Sequence, residues 1–331
     1  MAMSETGVAW RRVGLFYGIA FGGAVLVALL IWVGRDLLGG GPVLGLVLTA
    51  VLYMTLPIVA GLVTERVARR RPLIADEWHE LRHHFWRTYG RSALVGVVAV
   101  VAMVALGLAV TWLAGLMGVP GAGHIATNAE ELLARLRQLN PALSAASVPP
   151  PAVLLGVTML QGLAAGLTVN GLFAFGEEYG WRGVLADELR PLGLARASLL
   201  TGVLWGLWHA PIIILGHNYG TQWGWGIPVM VMWTVPMSFL LTWARERTGS
   251  VLAPAILHGA VNGVVGVFTL ALVNANVLIG LPAGIVFGVT VAVLALVVWR
   301  IPTSRGRRDA SAVEGPLVEV DAAAPPQASE R

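Results

Sequence analysis

A short stretch of the sequence, LFAFGEEYGWRGVL, places two adjacent carboxylates and an arginine in apolar surroundings. Glu177 and Glu178 follow roughly forty residues without a charged side chain, and Arg182 lies four residues after Glu178. An ionisable side chain is costly to bury in a membrane, so each of these residues is a candidate for function. Because residues four apart share a helix face, Glu178 and Arg182 are predicted to pair. Glu177 is predicted to turn about 100° away from its neighbour and to face a cavity.

Three more polar residues lie in apolar segments further along the chain. His209 occurs in VLWGLWHAPII, and His258 and Asn262 occur four residues apart in ILHGAVNGV. At 1.5 Å of rise per helical residue, these residues and Glu177 lie about 12 to 20 Å from the ends of their helices. All of them can therefore meet in the inner half of the membrane.

This set of side chains is suited to the hydrolysis of an amide bond. A carboxylate or an imidazole can accept a proton from water, and an imidazole or amide N–H can stabilise the oxyanion that forms. Glu177, His209 and His258 are also sufficient to bind zinc with one open coordination position. The residues alone leave metal-free and zinc-dependent hydrolysis open.

The composition indicates a protein that crosses a membrane several times. Of the 331 residues, 56% are hydrophobic and 12% are charged, and the mean hydropathy is +0.75. A transmembrane helix needs about 20 apolar residues. Runs of this kind cover residues 14–34, 37–63, 93–118, 151–175, 197–215, 223–244, 251–273 and 277–299. The predicted fold is all-α, a polytopic membrane helix bundle of about eight transmembrane helices.

The basic residues predict the orientation, since cytoplasmic loops retain positive charge. All 22 of them are arginines, and with a cytoplasmic N-terminus only Arg35, Arg135 and Arg137 fall outside. Both termini are therefore predicted to be cytoplasmic. The isoelectric point of about 10.1 is then explained by arginines at an anionic lipid surface, without nucleic acid. The absence of cysteine from the sequence excludes disulfides, thiolate ligands and cysteine nucleophiles.

The sequence divides into three predicted regions. Residues 1–149 form an N-terminal three-helix membrane region with an arginine-rich cytoplasmic loop and an outer amphipathic helix, which Thr127 or Asn128 can cap. Residues 150–300 form a membrane core that carries the candidate site. Residues 301–331 mix proline, alanine, serine and charge without periodicity, and they are predicted to be a disordered cytoplasmic tail.

The segment HELRH, residues 79–83, satisfies the H-E-x-x-H zinc signature. It lies in the arginine-rich loop with Arg82 inside the motif, and this cationic setting disfavours a divalent cation. No third ligand stands out nearby. The surrounding DEWHELRHHFWR is better explained as a helix in the membrane interface, with its aromatic side chains toward lipid.

The ordered set of motifs resembles the CPBP intramembrane proteases, also called the Abi family. This family includes CAAX prenyl endopeptidases of the Ras-converting-enzyme type and bacterial immunity or bacteriocin-processing relatives. The matching motifs are Glu177-Glu178-x-x-x-Arg182-Gly183, Trp205-x-x-x-His209 followed by Pro211, and His258-x-x-x-Asn262. Each motif alone is weak, but their order on successive apolar segments, over roughly residues 150–270, is specific. Trp205 stands where the family commonly has phenylalanine, which affects the packing of the pocket.

The resemblance implies a role for each matching residue. The implied catalytic residues are Glu177, His209, His258 and Asn262, and the implied supporting residues are Glu178, Arg182 and Trp205. Glu177 is the catalytic glutamate, and His209 helps to position or deprotonate the water. His258 and Asn262 stabilise the oxyanion. The family is described both as metalloproteases and as metal-free glutamate proteases, and this slightly favours the alternative in which no cofactor is required.

The predicted function is therefore an intramembrane endopeptidase in a bacterial cytoplasmic membrane. Its expected partners are membrane lipid and a membrane-associated protein or peptide, with lipidated or CAAX-like substrates among the candidates and no nucleic acid. Two alternatives stay open at this stage. One is a non-catalytic membrane immunity or scaffold protein that keeps the pocket, and the other is a proton-coupled transporter that uses Glu177 and the histidines as a relay.

Overall fold

The computed structural model describes residues 7–37, 39, 41–139, 142 and 149–301. Within these residues the chain is a bundle of helices with one small sheet. The helices are α1 (Trp10–Trp32), α2 (Gly41–Leu48), α3 (Leu56–Val67), α4 (Leu73–Leu116), α5 (Ala129–Leu139), α6 (Pro151–Leu167), α7 (Val169–Glu178), α8 (Ala186–Glu188), α9 (Leu194–Trp208), α10 (Ala210–Ile214), α11 (Trp223–Thr248), α12 (Leu252–Ala271) and α13 (Ile285–Trp299). The strands β1 (His124–Ile125) and β2 (Leu272–Val273) pair antiparallel. The predicted all-α polytopic membrane bundle is confirmed.

Six helical segments of the described chain are long and apolar enough to cross a membrane. They are Trp10–Arg35, Gly41–Val67, Leu73–Leu116, Leu194–Ile214, Gly220–Thr248 and Leu252–Ala271. The pair Pro151–Leu167 and Val169–Glu188 makes a seventh if it counts as one span, and it is bent by 48°. The last predicted span corresponds to α13, whose 15 residues fall short of the ~20 that a straight span needs. The total of eight stays a prediction.

Loops that the arginine pattern assigns to the same side of the membrane contact one another. Near the start of α1, Arg12 Nε donates to Glu188 Oε2 at 2.9 Å, and Arg70 lies 2.9 Å from the other oxygen of that carboxylate. At the opposite, predicted outer end, Arg35 donates to the carbonyl of Leu215 at 3.0 Å. The two sets of loops therefore occupy two ends of the bundle. Which end is cytoplasmic, and with it the location of the termini, stays a prediction.

The predicted outer helix is present as α5, and its first turn is capped as expected. Asn128 Oδ1 accepts the backbone N–H of Glu131 at 2.9 Å. The Glu131 carboxylate in turn accepts the backbone N–H of Thr127 at 2.8 Å, and this bond lowers the pKa of the Glu131 carboxyl below its usual value. Arg135 donates from this helix to the carbonyl of Thr269 at 2.9 Å. The helix is thus held against α12.

Helix α12 crosses α6 and α7 at a very short distance because glycines face each other there. A Cβ atom on Gly166 would lie 2.4 Å from the Cα of Ala260, and one on Gly259 would lie 2.5 Å from the backbone nitrogen of Gly171. Small residues at helix interfaces allow this close backbone approach inside membranes. The crossing brings the first half of α12 against the end of α7, where the paired glutamates lie.

The N-terminal region packs directly against the predicted membrane core. Helix α4 contacts α12 and α13, and α3 contacts the turn at Tyr179–Leu185. Helix α4 runs for 44 residues with a break at His84 (φ −136°, ψ 41°), so the predicted interfacial helix is its first part. The boundary near residue 150 stays a prediction, and residues 302–331 of the predicted tail lie outside the described residues.

Candidate active site

The paired glutamates end α7, and the chain continues into a π-helical turn over Tyr179–Leu185. Turns of this kind are rare and occur often at functional sites. The side chains of Glu177, Glu178 and Arg182 are buried, with exposures of 2%, 0% and 2%. Buried charges are costly unless they are paired and hydrogen-bonded, so their partners define the site.

Glu178 is the centre of a buried ionic group. Its Oε1 accepts a hydrogen bond from Arg182 Nη1 at 3.1 Å, which confirms the predicted pair. The same oxygen lies 2.9 Å from Nδ1 of His258. Because an ionised carboxylate only accepts hydrogen bonds, Nδ1–H of His258 is the donor. Glu178 therefore orients His258 in addition to neutralising Arg182, a contact that the sequence analysis missed.

Glu177 is held by a neighbouring side chain, and its predicted position facing a cavity stays a prediction. Its Oε2 accepts a hydrogen bond from Nε1 of Trp205 at 2.9 Å, and Trp205 is only 1% exposed. A phenylalanine ring at this position has no donor and leaves this bond unmade. Trp205 was predicted to affect only the packing of the pocket. The available signal was its indole N–H, because a buried tryptophan usually finds an acceptor.

Trp205 also orients His209, which caps the C-terminal end of α9. The Trp205 carbonyl lies 2.8 Å from Nδ1 of His209. A carbonyl cannot donate, so Nδ1 carries the proton and a neutral His209 ring presents Nε2 as an acceptor. The indole lies 4.4 Å from the guanidinium carbon of Arg182 and has its centroid 5.4 Å from that of His258. Trp205 thus contacts Glu177, Arg182 and both histidines.

Asn262 is placed differently from the other candidate residues. It lies one turn after His258 on α12 and is exposed. His258 is buried and directed to Glu178, so the two side chains do not share the environment that their spacing predicted. In the described part of the chain, the structure brings Glu177, Glu178, Arg182, Trp205, His209 and His258 together and leaves Asn262 out of their hydrogen-bonded network.

The fit of a metal to this site can be judged from the side chains. Both histidines use Nδ1 for a hydrogen bond, which is the arrangement that metal-binding histidines adopt. Within the described residues, however, no group of three His, Cys, Asp or Glu side chains is placed to hold a metal ion. The predicted zinc set of Glu177, His209 and His258 therefore does not fit as it stands.

Residues of the N-terminal region form hydrogen bonds with residues that flank the site. Trp208, next to His209, donates from Nε1 to the carbonyl of Ala20 at 3.0 Å. Tyr53 donates its hydroxyl proton to the carbonyl of Trp208 at 2.5 Å. On the other side, the Tyr179 hydroxyl donates to Glu65 at 2.6 Å. These supports were not predicted, because each is a single residue without a motif around it.

A family match coincides with this site. Residues 159–264 match the family model described as type II CAAX prenyl endopeptidase Rce1-like. This segment is therefore similar to that family. It contains every predicted site residue from Glu177 to Asn262, and the resemblance predicted from the motifs is confirmed.

A curated protein also matches part of this chain. CAAX prenyl protease 2 of Methanococcus maripaludis is 33% identical to this chain over 92 residues. The aligned part covers 26% of this chain and 34% of the relative, so the chain spans about a third of the length of the curated relative that it matches. No solved structure gives a significant match.

Proposed function

We propose that this chain is an intramembrane endopeptidase that hydrolyses a peptide bond of a membrane-associated protein or peptide. The observation that carries the proposal is the buried group around Trp205, in which a glutamate and two histidines converge inside the Rce1-like segment. The apolar helices around this group limit its substrates to molecules in or at the membrane.

Glu177 is the general base in the proposed reaction. Its carboxylate accepts a proton from water as the water oxygen attacks the carbonyl carbon of the peptide bond. The proton then passes to the nitrogen as the carbon–nitrogen bond breaks, so the carboxylate is regenerated. The indole N–H of Trp205 holds Oε2 of Glu177 in a fixed position, which keeps the base aligned with its water.

The two histidines have different proposed roles because their partners differ. His209 has its Nδ1 proton directed to a carbonyl, so its Nε2 accepts a hydrogen bond and orients the attacking water. His258 gives its Nδ1 proton to Glu178. It can donate to the oxyanion only when Nε2 also carries a proton, and the adjacent carboxylate matches the positive charge of that form. Asn262 is a second donor only if substrate binding brings its amide to the same oxygen.

The substrate class and the location rest on the comparisons and on the arginine pattern. A lipidated or CAAX-like substrate is favoured by the names of the matched family and of the relative. The arginine pattern favours a cytoplasmic membrane with both termini inside. The expected bacterial membrane stays a proposal, because the matched relative is archaeal.

The proposal is tested by comparing peptides in membranes from cells that carry different forms of the protein. Wild-type protein and the Glu80→Gln variant should produce the same set of cleaved membrane peptides, and Glu177→Gln should produce none of them. Glu80 is the control because it is an exposed glutamate of the HELRH segment, outside the buried group. Full biological function of Glu177→Gln protein would instead select a non-catalytic scaffold or immunity role.

A further inference from the structure

A polar cavity of about 380 Å³ lies between the first part of α4 and the C-terminal end of α11. It is separate from the proposed active site and shares no residue with it. Its basic lining residues are Arg87 and Arg91 from α4 and Arg245 from α11, with His84 at the break in α4. Thr88 and Thr248 add hydroxyl groups.

The acidic residues of the same cavity are mostly occupied by other partners. Asp76 pairs with Arg71 at 3.3 Å. Glu77 accepts hydrogen bonds from the Ser250 hydroxyl at 2.5 Å and from the Val251 backbone N–H at 2.9 Å. Glu77 keeps its charge because both of these donors are neutral. With Asp76 paired to Arg71, the carboxylates of Glu77 and Glu80 face three guanidinium groups, and the cavity keeps an excess of one positive charge.

Two of the guanidinium groups lack a partner of their own in the part of the chain that the structure describes. Nε of Arg245 is buried and donates no hydrogen bond there. Arg87 makes no hydrogen bond or ion pair there. Arg91 donates only to the carbonyl of Arg247, at 3.4 Å. Two unpaired guanidinium groups and a third with one long hydrogen bond favour an anion with several oxygen acceptors, and a phosphate group is of that type.

The position of the cavity indicates where such a phosphate comes from. Arg91 lies just before the apolar run that starts at residue 93, and Arg245 directly follows the run that ends at residue 244. Both therefore lie at the level where the phosphates of lipid headgroups begin. On the same part of α4, Trp78 and Trp86 are 64% and 83% exposed, as is typical of aromatic residues at a membrane interface.

We propose that this cavity binds the phosphate of an anionic lipid headgroup through Arg87, Arg91 and Arg245. It thereby ties the first part of α4 and the end of α11 to the same lipid. General attraction of arginines to an anionic leaflet does not need a cavity, whereas this site distinguishes the three lining arginines from others at the same membrane boundary. The inference does not depend on the peptidase activity.

The test is a binding titration of the purified full-length protein in detergent with short-chain phosphatidylglycerol. The variants are Arg87→Gln and Arg245→Gln. The matched control is Arg300→Gln, because Arg300 follows α13 directly, is exposed and lies outside this cavity. We expect each cavity variant to weaken binding by about tenfold or more and the control to bind as the wild type does.

Further arms identify the ligand and exclude a folding defect. Short-chain phosphatidylcholine and inorganic phosphate should both bind much more weakly than phosphatidylglycerol. Equal binding of phosphatidylcholine would overturn the anion site, and equal binding of inorganic phosphate would overturn the assignment to lipid. An equal loss of binding in Arg300→Gln would show that surface charge alone attracts the lipid, and it would overturn the cavity as the site. Thermal unfolding of each variant is measured alongside, and if Arg245→Gln is unstable, the exposed Arg87→Gln variant decides the outcome.

Discussion

Two glutamate–histidine groups in this chain differ in how their residues come together. In HELRH, His79 and His83 are neighbours on one helix, exposed, with ring centroids 4.3 Å apart. Nδ1 of His83 lies 2.9 Å from the carbonyl of His79. In the buried group, by contrast, Glu178 and His258 are 80 residues apart in sequence and 2.9 Å apart in space.

The difference shows what a local motif lacks. The exposed histidines share a hydrogen bond between the His83 ring and the His79 carbonyl, but they are open to solvent, so water is not excluded from them. The buried residues need protein partners, and each ring and carboxylate therefore has a defined orientation. Preorganised groups in a site that excludes water are those that stabilise a transition state most effectively. The dispersed group is for this reason the better candidate for catalysis.

The largest effect is expected from Glu178→Gln, which breaks the buried group at its centre. Arg182 would be left buried without its counter-charge, and breaking a buried ion pair in this way costs about 3 to 5 kcal/mol. We expect both the folded yield and cleavage to collapse, whereas Glu177→Gln should lose cleavage and keep its yield. Gel filtration and thermal unfolding measure the yield and stability. Equal yields of the two variants would show that their roles are assigned wrongly.

A large effect on stability is expected from Gly166→Ala, which separates the helices that carry the buried group. The new Cβ would meet the Ala260 backbone at 2.4 Å, and overpacking of this kind costs about 1 to 3 kcal/mol or more. The matched control is Gly156→Ala on the same helix, where no atom lies within 4 Å of the added Cβ. The melting temperature should fall for the first variant only. A normal melting temperature for Gly166→Ala would contradict the close crossing.

A smaller effect, confined to catalysis, is expected from Trp205→Phe. The ring remains, but the hydrogen bond to Glu177 is lost. Hydrogen bonds to charged groups contribute about 1.5 to 3 kcal/mol, so we expect kcat to fall by about 10- to 100-fold with little change in KM. The control is Trp233→Phe. It also removes an indole hydrogen bond, which Trp233 donates to the Tyr219 hydroxyl at 3.1 Å, but it leaves the bond to Glu177 in place. An unchanged kcat in Trp205→Phe would show that the Trp205 indole does not position Glu177.

The smallest effect is expected from His79→Ala and His83→Ala in the exposed group. Cleavage should stay within about twofold of the wild-type rate. Elemental analysis should find the same metal content in each variant as in the wild-type protein. A strong chelator should also leave cleavage intact, since metal-free catalysis is favoured. Stoichiometric zinc whose removal stops cleavage, and whose binding is lost in His209→Ala and His258→Ala, would instead make the buried group a metal site.

The fold was largely predictable because long apolar segments have few alternatives in a membrane. Hydropathy located the apolar helices, and the Asn128 cap and the Glu178–Arg182 pair followed from local spacing. The 48° bend between α6 and α7 was not predicted. It lies where the chain meets α12 through facing glycines, and such a contact depends on two segments that are distant in sequence.

The convergence of most of the candidate residues was predictable, but the hydrogen bonds between them were less so. Spacing along a helix predicts the face on which a residue lies. Its depth in the membrane predicts which residues of other helices lie at the same level. The partner that each atom chooses depends on the packing of several helices. For this reason the contacts of Glu177 with Trp205 and of Glu178 with His258 were missed, and Asn262 was placed with His258 although it is exposed.

The most direct test of the central claim is hydrolysis by the purified protein in lipid nanodiscs in ¹⁸O-labelled water. The substrate is a membrane peptide whose cleavage depends on the protein in cells. Wild-type protein and Glu80→Gln should place one ¹⁸O atom in the new carboxyl terminus at similar rates. Glu177→Gln should be slower by about 100- to 10,000-fold, the usual contribution of a general base. Labelled product formed by Glu177→Gln at the wild-type rate would contradict the assignment of the buried group as the catalytic site.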